Sequence, residues 1–469
     1  MTVQTRKIQE GFGNAARPLA KDLLKLDSRS DDPIITETGN HIPERVNFDF
    51  RQYYDRDYAA AEYEKILLKT WQMAAREEDI PNVGNRVPFD LGPGSFIISR
   101  SGPDEFKAFF NSCRHRGAML CTKKEAGETI KCPVHGWEWK PNGKLSKIPG
   151  WWDFPDLTPK NGGLREVRLE RWGGFLFINA DPDAPSLKDE LGVIPEHFAS
   201  FDMENRYTSV RIRKLIRCNW KIGQEPFQES YHVTETHGPF AASLVGDTQT
   251  QYDIYKNGQG HVGIGRNLTP SGVPSMNSPS ENTMVASANM WIAGIAHFLY
   301  PDETPIQIDP TQDTRRQMAD WHRAMQKKYY NREVTSPDTV LTDVAVYFLF
   351  PNTLLHLSEM LPYSWSFTPH ATDPEMCYVD LRMLLPCPVG QPRPPAAEPI
   401  ILDVADKVSE KAPQLDFQAN VVQEDIDNME LLQRGVRASD PRNHHSHLGL
   451  YQEMVLRHWH ATYDDYMSR

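Results

Sequence analysis

Cys113-Arg-His-Arg-Gly-Ala-Met-Leu-Cys-Thr-Lys-Lys-Glu-Ala-Gly-Glu-Thr-Ile-Lys-Cys-Pro-Val-His135, followed at once by Gly136 and Trp137, is the stretch on which the reading of the chain turns. Cys113 and His115 are separated by one residue, Cys132 and His135 by two, and sixteen residues lie between the pairs. Each Cys-His pair can therefore close on a metal from one short loop. Gly117 and Gly136 permit the tight backbone turns such loops need. Cys121 stands between the pairs without a matching His and reads as a packed thiol, because free Cys is among the most buried residue types.

Two thiolates and two imidazoles, one of each per loop, suit a Rieske 2Fe-2S centre, in which two Cys hold one iron and two His hold the other. A structural zinc site also uses two Cys and two His, but zinc modules more often place the two Cys in one short spacing and the two His in another. The cluster reading makes the chain an acceptor of single electrons.

The chain has 469 residues, 39% hydrophobic and 24% charged, which describes a globular protein of two or three domains. No apolar run approaches the roughly 18 residues of a membrane span, and Met1 to Arg17 lacks the apolar core of a secretory signal, so a cytoplasmic protein is expected. Six cysteines do not suggest a disulfide framework. A net charge of -12 argues against nucleic-acid binding.

Around the Cys-His loops the charge reverses: residues 113–147 carry eight Lys or Arg (114, 116, 123, 124, 131, 140, 144, 147) against three Glu (125, 128, 138). This basic face suits docking of an acidic electron-transfer protein.

The organisation expected along the chain is an N-terminal arm over residues 1–45 of the kind that often covers a neighbouring subunit, a small domain over 46–180, and a large domain over 181–469. Tyr58 to Met73 has apolar residues at near-helical spacing. Val87 onward breaks into short strand-like runs, which puts the two Cys-His loops at hairpin tips. In the large domain Arg211 to Trp220, residues 284–300 and Val344 to Leu357 read as strands. Ile401 to Glu410, Asn420 to Arg434 and Leu450 to Tyr466 read as helices. Pro386 to Pro399 holds six prolines and must be a loop. The fold class is α+β: a small all-β domain and a larger α+β domain built on an antiparallel sheet.

A second constellation lies in Gln224-Glu-Pro-Phe-Gln-Glu-Ser-Tyr-His-Val-Thr-Glu-Thr-His-Gly-Pro239. His232 and His237, five apart, would point about 140° away from each other on one straight helix. Gly238 and Pro239 end that helix where His237 must swing round, so two imidazoles can supply the His ligands of a 2-His-1-carboxylate iron site. The carboxylate comes from the helical run around Val421 to Leu432. Val422, Ile426, Met429 and Leu432 share one face, Asp425 falls within it, and Glu424 and Asp427 point to solvent. A carboxylate on an apolar face is costly unless paired or metal-bound, which selects Asp425, the alternative being pairing with a buried Arg. The His-rich run 443–447 reads as an exposed loop without a metal.

Cys-x-His, sixteen residues, Cys-x2-His-Gly-Trp, followed by Glu-x-Phe-x-Glu-x-Tyr-His-x4-His and a distant Glu-Asp-x4-Glu, resembles the large (alpha) subunit of the Rieske non-haem iron aromatic ring-hydroxylating oxygenases over residues 50–465. The resemblance implies a Rieske 2Fe-2S cluster on Cys113, His115, Cys132 and His135, and a mononuclear Fe(II) on His232, His237 and Asp425. It implies that Glu229 links the iron-binding His to a cluster-binding His of the adjacent subunit. Several family members carry Asp there, and Asn often stands where this chain has Pro226. The implied activity is dihydroxylation of an apolar aromatic to a cis-dihydrodiol, the alternative being monooxygenation (hydroxylation or oxidative demethylation). A pure electron carrier would leave the large domain without a role. Electrons would come from NAD(P)H through a reductase and ferredoxin, and the assembly would be a homotrimer or a hetero-hexamer with a beta subunit. An apolar pocket is expected from Phe227, Phe240, Met290, Trp291, Phe348 and Leu355.

Overall fold

The computed structural model describes residues 19–39, 47–256, 263–278, 283–442 and 444–469. In the first half, short runs of aromatic and β-branched residues between turn glycines form a seven-stranded antiparallel sheet. Its spatial order is Gln72–Arg76, Phe175–Asn179, Glu166–Trp172, Glu105–Phe110, Gly94–Gly102, Asn85–Leu91 and Glu125–Ala126. A three-stranded sheet (Ile130–Lys131, Glu138–Trp139, Leu145–Lys147) sits beside it. The second Cys-His loop is the tip of the hairpin 131–138, and the first follows the strand Glu105–Phe110. Phe109, Trp137, Trp139 and Leu145 pack around both cysteines and fix the two loops relative to each other.

The large domain is built on eight strands in the order Gln251–Lys256, Gly263–Thr269, Val344–Leu349, Thr353–Leu357, Tyr363–Pro369, Cys377–Pro386, Arg206–Ile216 and Ile400–Leu402. All neighbours are antiparallel except the last pair. Arg206–Ile216 buries every second residue, the period-two signature of a strand with one face on the core. The helices Phe417–Ala438 and Met454–Ser468 cover one face of this sheet, where Val422, Ile426, Met429 and Trp459 meet Ile212, Val346 and Trp365. Among the described residues no helix is long and apolar enough to cross a membrane.

Four local expectations are corrected. Residues 284–300 form the helix Met284–Leu299, not a strand. Its buried residues, Ser287, Ala288, Trp291, Ile292, Ile295 and Ala296, recur at three and four, and Thr283 caps it by accepting the Ala286 N–H at 3.2 Å. The run 401–410 is not one helix: Ile400–Leu402 pairs as an edge strand and only Val408–Lys411 is helical. The carbonyls of Asp403, Val404 and Asp406, which a helix would use internally, instead accept from Lys214 Nζ at 3.0, 3.2 and 2.6 Å. Tyr58 to Met73 is helical only to Leu67, as Arg56–Glu62 plus a π-turn Tyr63–Leu67, before the strand from Gln72. Leu432 is exposed, and Gln433 takes its place on the buried stripe.

The segment before the small domain packs into the core of the large one. Phe48, Tyr53 and Ile66 share a cluster with Trp220, Val422 and Trp459. Glu62 takes Lys221 Nζ at 2.5 Å, the Trp220 indole N–H at 3.0 Å and the Tyr463 hydroxyl at 2.6 Å, with Glu62 and Lys221 both buried. Within the arm, residues 19–39 lie on this chain's own large domain: the Asp338 and Thr339 N–H groups donate to Asp27, and Arg266 Nη1 donates to the Ile34 carbonyl. The rest of the arm lies outside the described residues.

Candidate metal centres

The two Cys-His loops have the same backbone wiring. Cys113 N–H donates to the Ala118 carbonyl and Gly117 N–H to the Cys113 carbonyl (2.8 and 2.9 Å); Cys132 N–H donates to Trp137 and Gly136 N–H to Cys132 (2.8 and 3.1 Å). Gly117 and Gly136 occupy equivalent places with φ of +78° and +69°, a conformation L side chains rarely adopt. Backbone N–H groups of the second and third residues after each cysteine face its sulfur. Burial raises the Cys113 thiol above its usual range; at Cys132 the N–H groups of Val134 and His135 outweigh burial and hold it below. His115 Nδ1 and His135 Nδ1 stand 3.2 Å apart, and His115 stacks on Trp137. The cysteines are buried while His135 is exposed, so the loops close on a site with a sulfur side inside and an imidazole side toward solvent. Cys121 lies away from it, fully buried, its thiol pushed up to about 11 by burial first. All eight basic residues of the 113–147 stretch are exposed.

The second constellation comes together from three elements. A 3-10 turn Glu225–Gln228 leads to Glu229 in extended conformation, and a single helical turn Val233–Thr236 follows, with His232 and His237 at its two ends. The expected continuous helix through Glu229 and His232 is therefore absent. Gly238, with φ +71°, does not end a helix in a loop but re-aims the chain into Gly238–Leu244. The helix Phe417–Ala438 brings Asp425 between the imidazoles: its Oδ1 is 3.5 Å from His232 Nε2 and 3.3 Å from His237 Nε2. One ligand atom from each of the three lies within 4.8 Å of the others. Atoms bound to one ion at about 2.1 Å and about 90–110° apart would stand about 3.0–3.4 Å from one another, so the spacing fits an ion at the centre. Asp425 is buried, and its Oδ1 has no hydrogen-bond partner, as expected of an atom whose partner is a metal. The alternative of a buried Arg beside Asp425 is not met among the described residues.

Both imidazoles are held from behind. His232 donates Nδ1–H to Glu229 Oε1 at 2.8 Å and its backbone N–H to Glu229 Oε2 at 2.9 Å. His237 Nδ1 meets Glu424 Oε2 at 2.8 Å. With Nδ1 protonated, each Nε2 would offer its lone pair to an ion at the shared centre; without one, Glu229 and Asp425 favour a second proton on His232. Burial would push His232 down, but Glu229 and Asp425 together raise it to about 10; burial would raise Asp425, but the two imidazoles hold it below its usual range. Glu424 was expected to point to solvent, and although about half exposed it is engaged by His237. Asp427 is exposed as expected.

The family described as "Ring hydroxylating alpha subunit (catalytic domain)" matches residues 196–469, and the "Rieske [2Fe-2S] domain" matches residues 70–155. The chain belongs to the Rieske ring-hydroxylating oxygenase alpha subunits. Members carry a Rieske 2Fe-2S cluster and a mononuclear iron, and this alpha subunit has the domain for each. It is 29% identical over 195 residues to the glycine betaine monooxygenase oxygenase subunit of Pseudomonas aeruginosa, covering 41% of this chain and 45% of the relative. To the biphenyl 2,3-dioxygenase alpha subunit of Rhodococcus jostii it is 31% identical over 204 residues, 42% and 44% of the two chains. The chain thus spans about half the length of the curated relatives it matches. Its fold is that of a naphthalene 1,2-dioxygenase variant solved with phenanthrene, with a TM-score of 0.64 at 18% identity over 91% of this chain and 94% of the other.

The six residues expected to line a pocket in this alpha subunit scatter. Phe227 stands two residues before Glu229, its ring 4.7 Å from Trp365 and 5.8 Å from Phe367. Phe348 faces the same cluster as the Asp425 helix, whereas Leu355 packs in a different one, with Phe175 and Leu187. The adjacent strands place Tyr347, not Phe348, opposite Leu355, and neighbours in register share a face, so Leu355 and Phe348 point to opposite sides. Trp291 is core, with its indole N–H on Met360 Sδ, and Phe240 and Met290 are exposed. Trp365, beside Phe227, and His356, which accepts the Trp365 indole N–H at 3.2 Å, are not among the residues expected from sequence. The period-two pattern that puts them on the catalytic face was available, but choosing the face needs the register.

Proposed function

We propose that this chain is the terminal oxygenase of a multicomponent system, a monooxygenase that hydroxylates or oxidatively demethylates a small substrate, with quaternary ammonium compounds as the first class to test. The observation that carries the oxygenase reading is the buried, unpartnered Asp425 Oδ1 facing two Nε2 atoms whose Nδ1 sides are held by carboxylates. In this reading Cys113, His115, Cys132 and His135 hold the cluster, and His232, His237 and Asp425 hold the iron. An iron held by His232, His237 and Asp425 would supply the activation of O2. The residues around it do the rest: Glu229 fixes the tautomer and direction of His232, Asp425 balances the charge, and the aromatic side chains of Phe227, Trp365 and Phe348 exclude water. Monooxygenation puts one oxygen atom into a C–H bond and releases the other as water, consuming two electrons and two protons.

The electrons come from NAD(P)H through a reductase and ferredoxin that dock on the basic face around the cluster. Transfer runs between adjacent subunits of a trimer, with or without a beta subunit, in the cytoplasm, with Glu229 as the link to the partner's cluster. The domain limits 46–180 and 181–469 go with this reading, except that Phe48, Tyr53 and Ile66 are built into the large domain's core while Leu67 stays in the small one's.

The name of the glycine betaine relative favours an N-methyl substrate, and aromatic faces such as Trp365 attract a quaternary ammonium group. The second reading, cis-dihydroxylation of an apolar aromatic, draws on the biphenyl relative and the same aromatic shelf. The test is incubation of metal-loaded protein, ferredoxin and reductase with labelled O2 and glycine betaine, choline, biphenyl or naphthalene. One labelled atom in the product, with formaldehyde or alcohol formed, supports the first reading, and two labelled atoms in an arene diol support the second. Protein with both centres loaded that labels no member of the panel refutes both.

A further inference from the structure

We infer that Glu424 is a positioning residue of the iron site, the counterpart for His237 of what Glu229 is for His232. The inference rests on the iron-site reading above. Glu424 and Asp425 are consecutive on the helix Phe417–Ala438, yet they meet the same imidazole from its two sides. Asp425 Oδ1 is 3.3 Å from Nε2 and Glu424 Oε2 is 2.8 Å from Nδ1. One rigid helix thus supplies both a ligand and the group that aims a second ligand. Consecutive helix residues diverge by about 100°; Asp425 falls on the buried stripe and Glu424 on the flank, so the two embrace the ring.

One turn further along that flank Asn428 Nδ2 donates to Thr236 Oγ1 at 2.9 Å, so the helix grips the His-bearing turn at two successive residues, 236 and 237. A hydrogen bond from Nδ1–H to a carboxylate fixes the tautomer in which Nε2 is free to bind a metal and raises its basicity. The two supporting carboxylates differ in one respect. Glu229 accepts two N–H groups, one from each oxygen, whereas Glu424 accepts one. Replacement by Gln, whose amide has a single acceptor oxygen, should therefore be tolerated at 424 and not at 229.

The test measures metal affinity of chelator-stripped full-length protein by Co(II) and Fe(II) titration against a competing chelator, with the visible spectrum of the cluster confirming an intact fold. Glu424→Ala is expected to weaken binding 10- to 100-fold, the usual effect of removing an outer partner of a metal-bound His. Glu424→Gln is expected to stay within a few-fold of the parent. Asp427→Ala is the control: it removes the same charge from the same helix three residues on, where the carboxylate accepts, among the described residues, only from Gln423. In the Zn(II)-loaded protein, nitrogen-15 spectra should show His237 as one Nδ1–H tautomer in the parent and broadened or mixed in Glu424→Ala. The proposal is overturned if Glu424→Ala binds metal no more weakly than Asp427→Ala, or if the tautomer signature of His237 is unchanged.

Discussion

Replacing Glu229 by Gln is a near-isosteric change that should behave as a severe one. Two donors converge on this carboxylate, the His232 ring N–H at 2.8 Å and the His232 backbone N–H at 2.9 Å. An amide can accept one of them and must turn its NH2 group toward the other. Leaving a buried donor without an acceptor costs about 1–3 kcal/mol, and freeing the ring to rotate or change tautomer typically weakens metal binding 10- to 100-fold, about 1.4–2.7 kcal/mol. Glu229→Gln should therefore bind Fe(II) nearly as poorly as Glu229→Ala, and its metal-free form should be less stable than the parent by about 1–3 kcal/mol. Chelator-competition titration gives the affinity, denaturant melts the stability, and cluster absorbance serves as the internal standard. A Gln variant that binds iron within twofold of the parent and unfolds at the same midpoint would refute the two-donor argument.

Three other outcomes follow from the same structure. Asp425→Asn should lose the mononuclear iron while keeping the cluster's visible spectrum; metal analysis showing full iron would remove Asp425 from the ligand set. Burial, the largest cause in each case, presses His197, His322 and His356 below the ordinary 6.5, to about 3, about 4 and about 3. At these three groups the folded chain refuses protons that the unfolded chain accepts, so their contribution to stability is full above pH 6.5. It falls by about 1.4 kcal/mol per group and pH unit below that, a loss of about 6 kcal/mol at pH 5. Denaturant midpoints that stay flat from pH 7.5 to 5 would contradict this. On the helix that bears Asp425, Met429→Ala should cost about 2–5 kcal/mol and Leu432→Ala no more than about 0.5 kcal/mol, and a reversal in chemical melts would misplace the buried stripe.

The cluster loops could be read from sequence because each ligand pair and its turn glycine sit within a few residues, where spacing alone constrains geometry. Asp425 could be read because a charged residue inside an apolar stripe is a strong anomaly. Glu424 was missed because helical periodicity says which way a residue points, not which neighbour its long side chain reaches; the partner lies 187 residues away in the chain. Residues 284–300 were misread because an apolar run bears no mark of its period until the small residues, Ala286, Ala288, Ala293 and Ala296, are weighed as helix formers. The expected pocket residues scatter for a related reason. Phe348 and Leu355 sit on adjacent strands, and a one-residue offset in register decides which of them faces the catalytic helices.

The strap of residues 47–67 makes the two halves inseparable as modules. A gene fusion or chimaera that joins a foreign cluster domain at residue 68 and discards what precedes it would take Ile66 and Tyr53 out of the large domain and strip Lys221 of its counter-charge. Exchange of the small domain between relatives therefore has no clean cut on either side of the π-turn, because that turn gives Ile66 to the core of the large half and Leu67, with Tyr63, to the core of the small one.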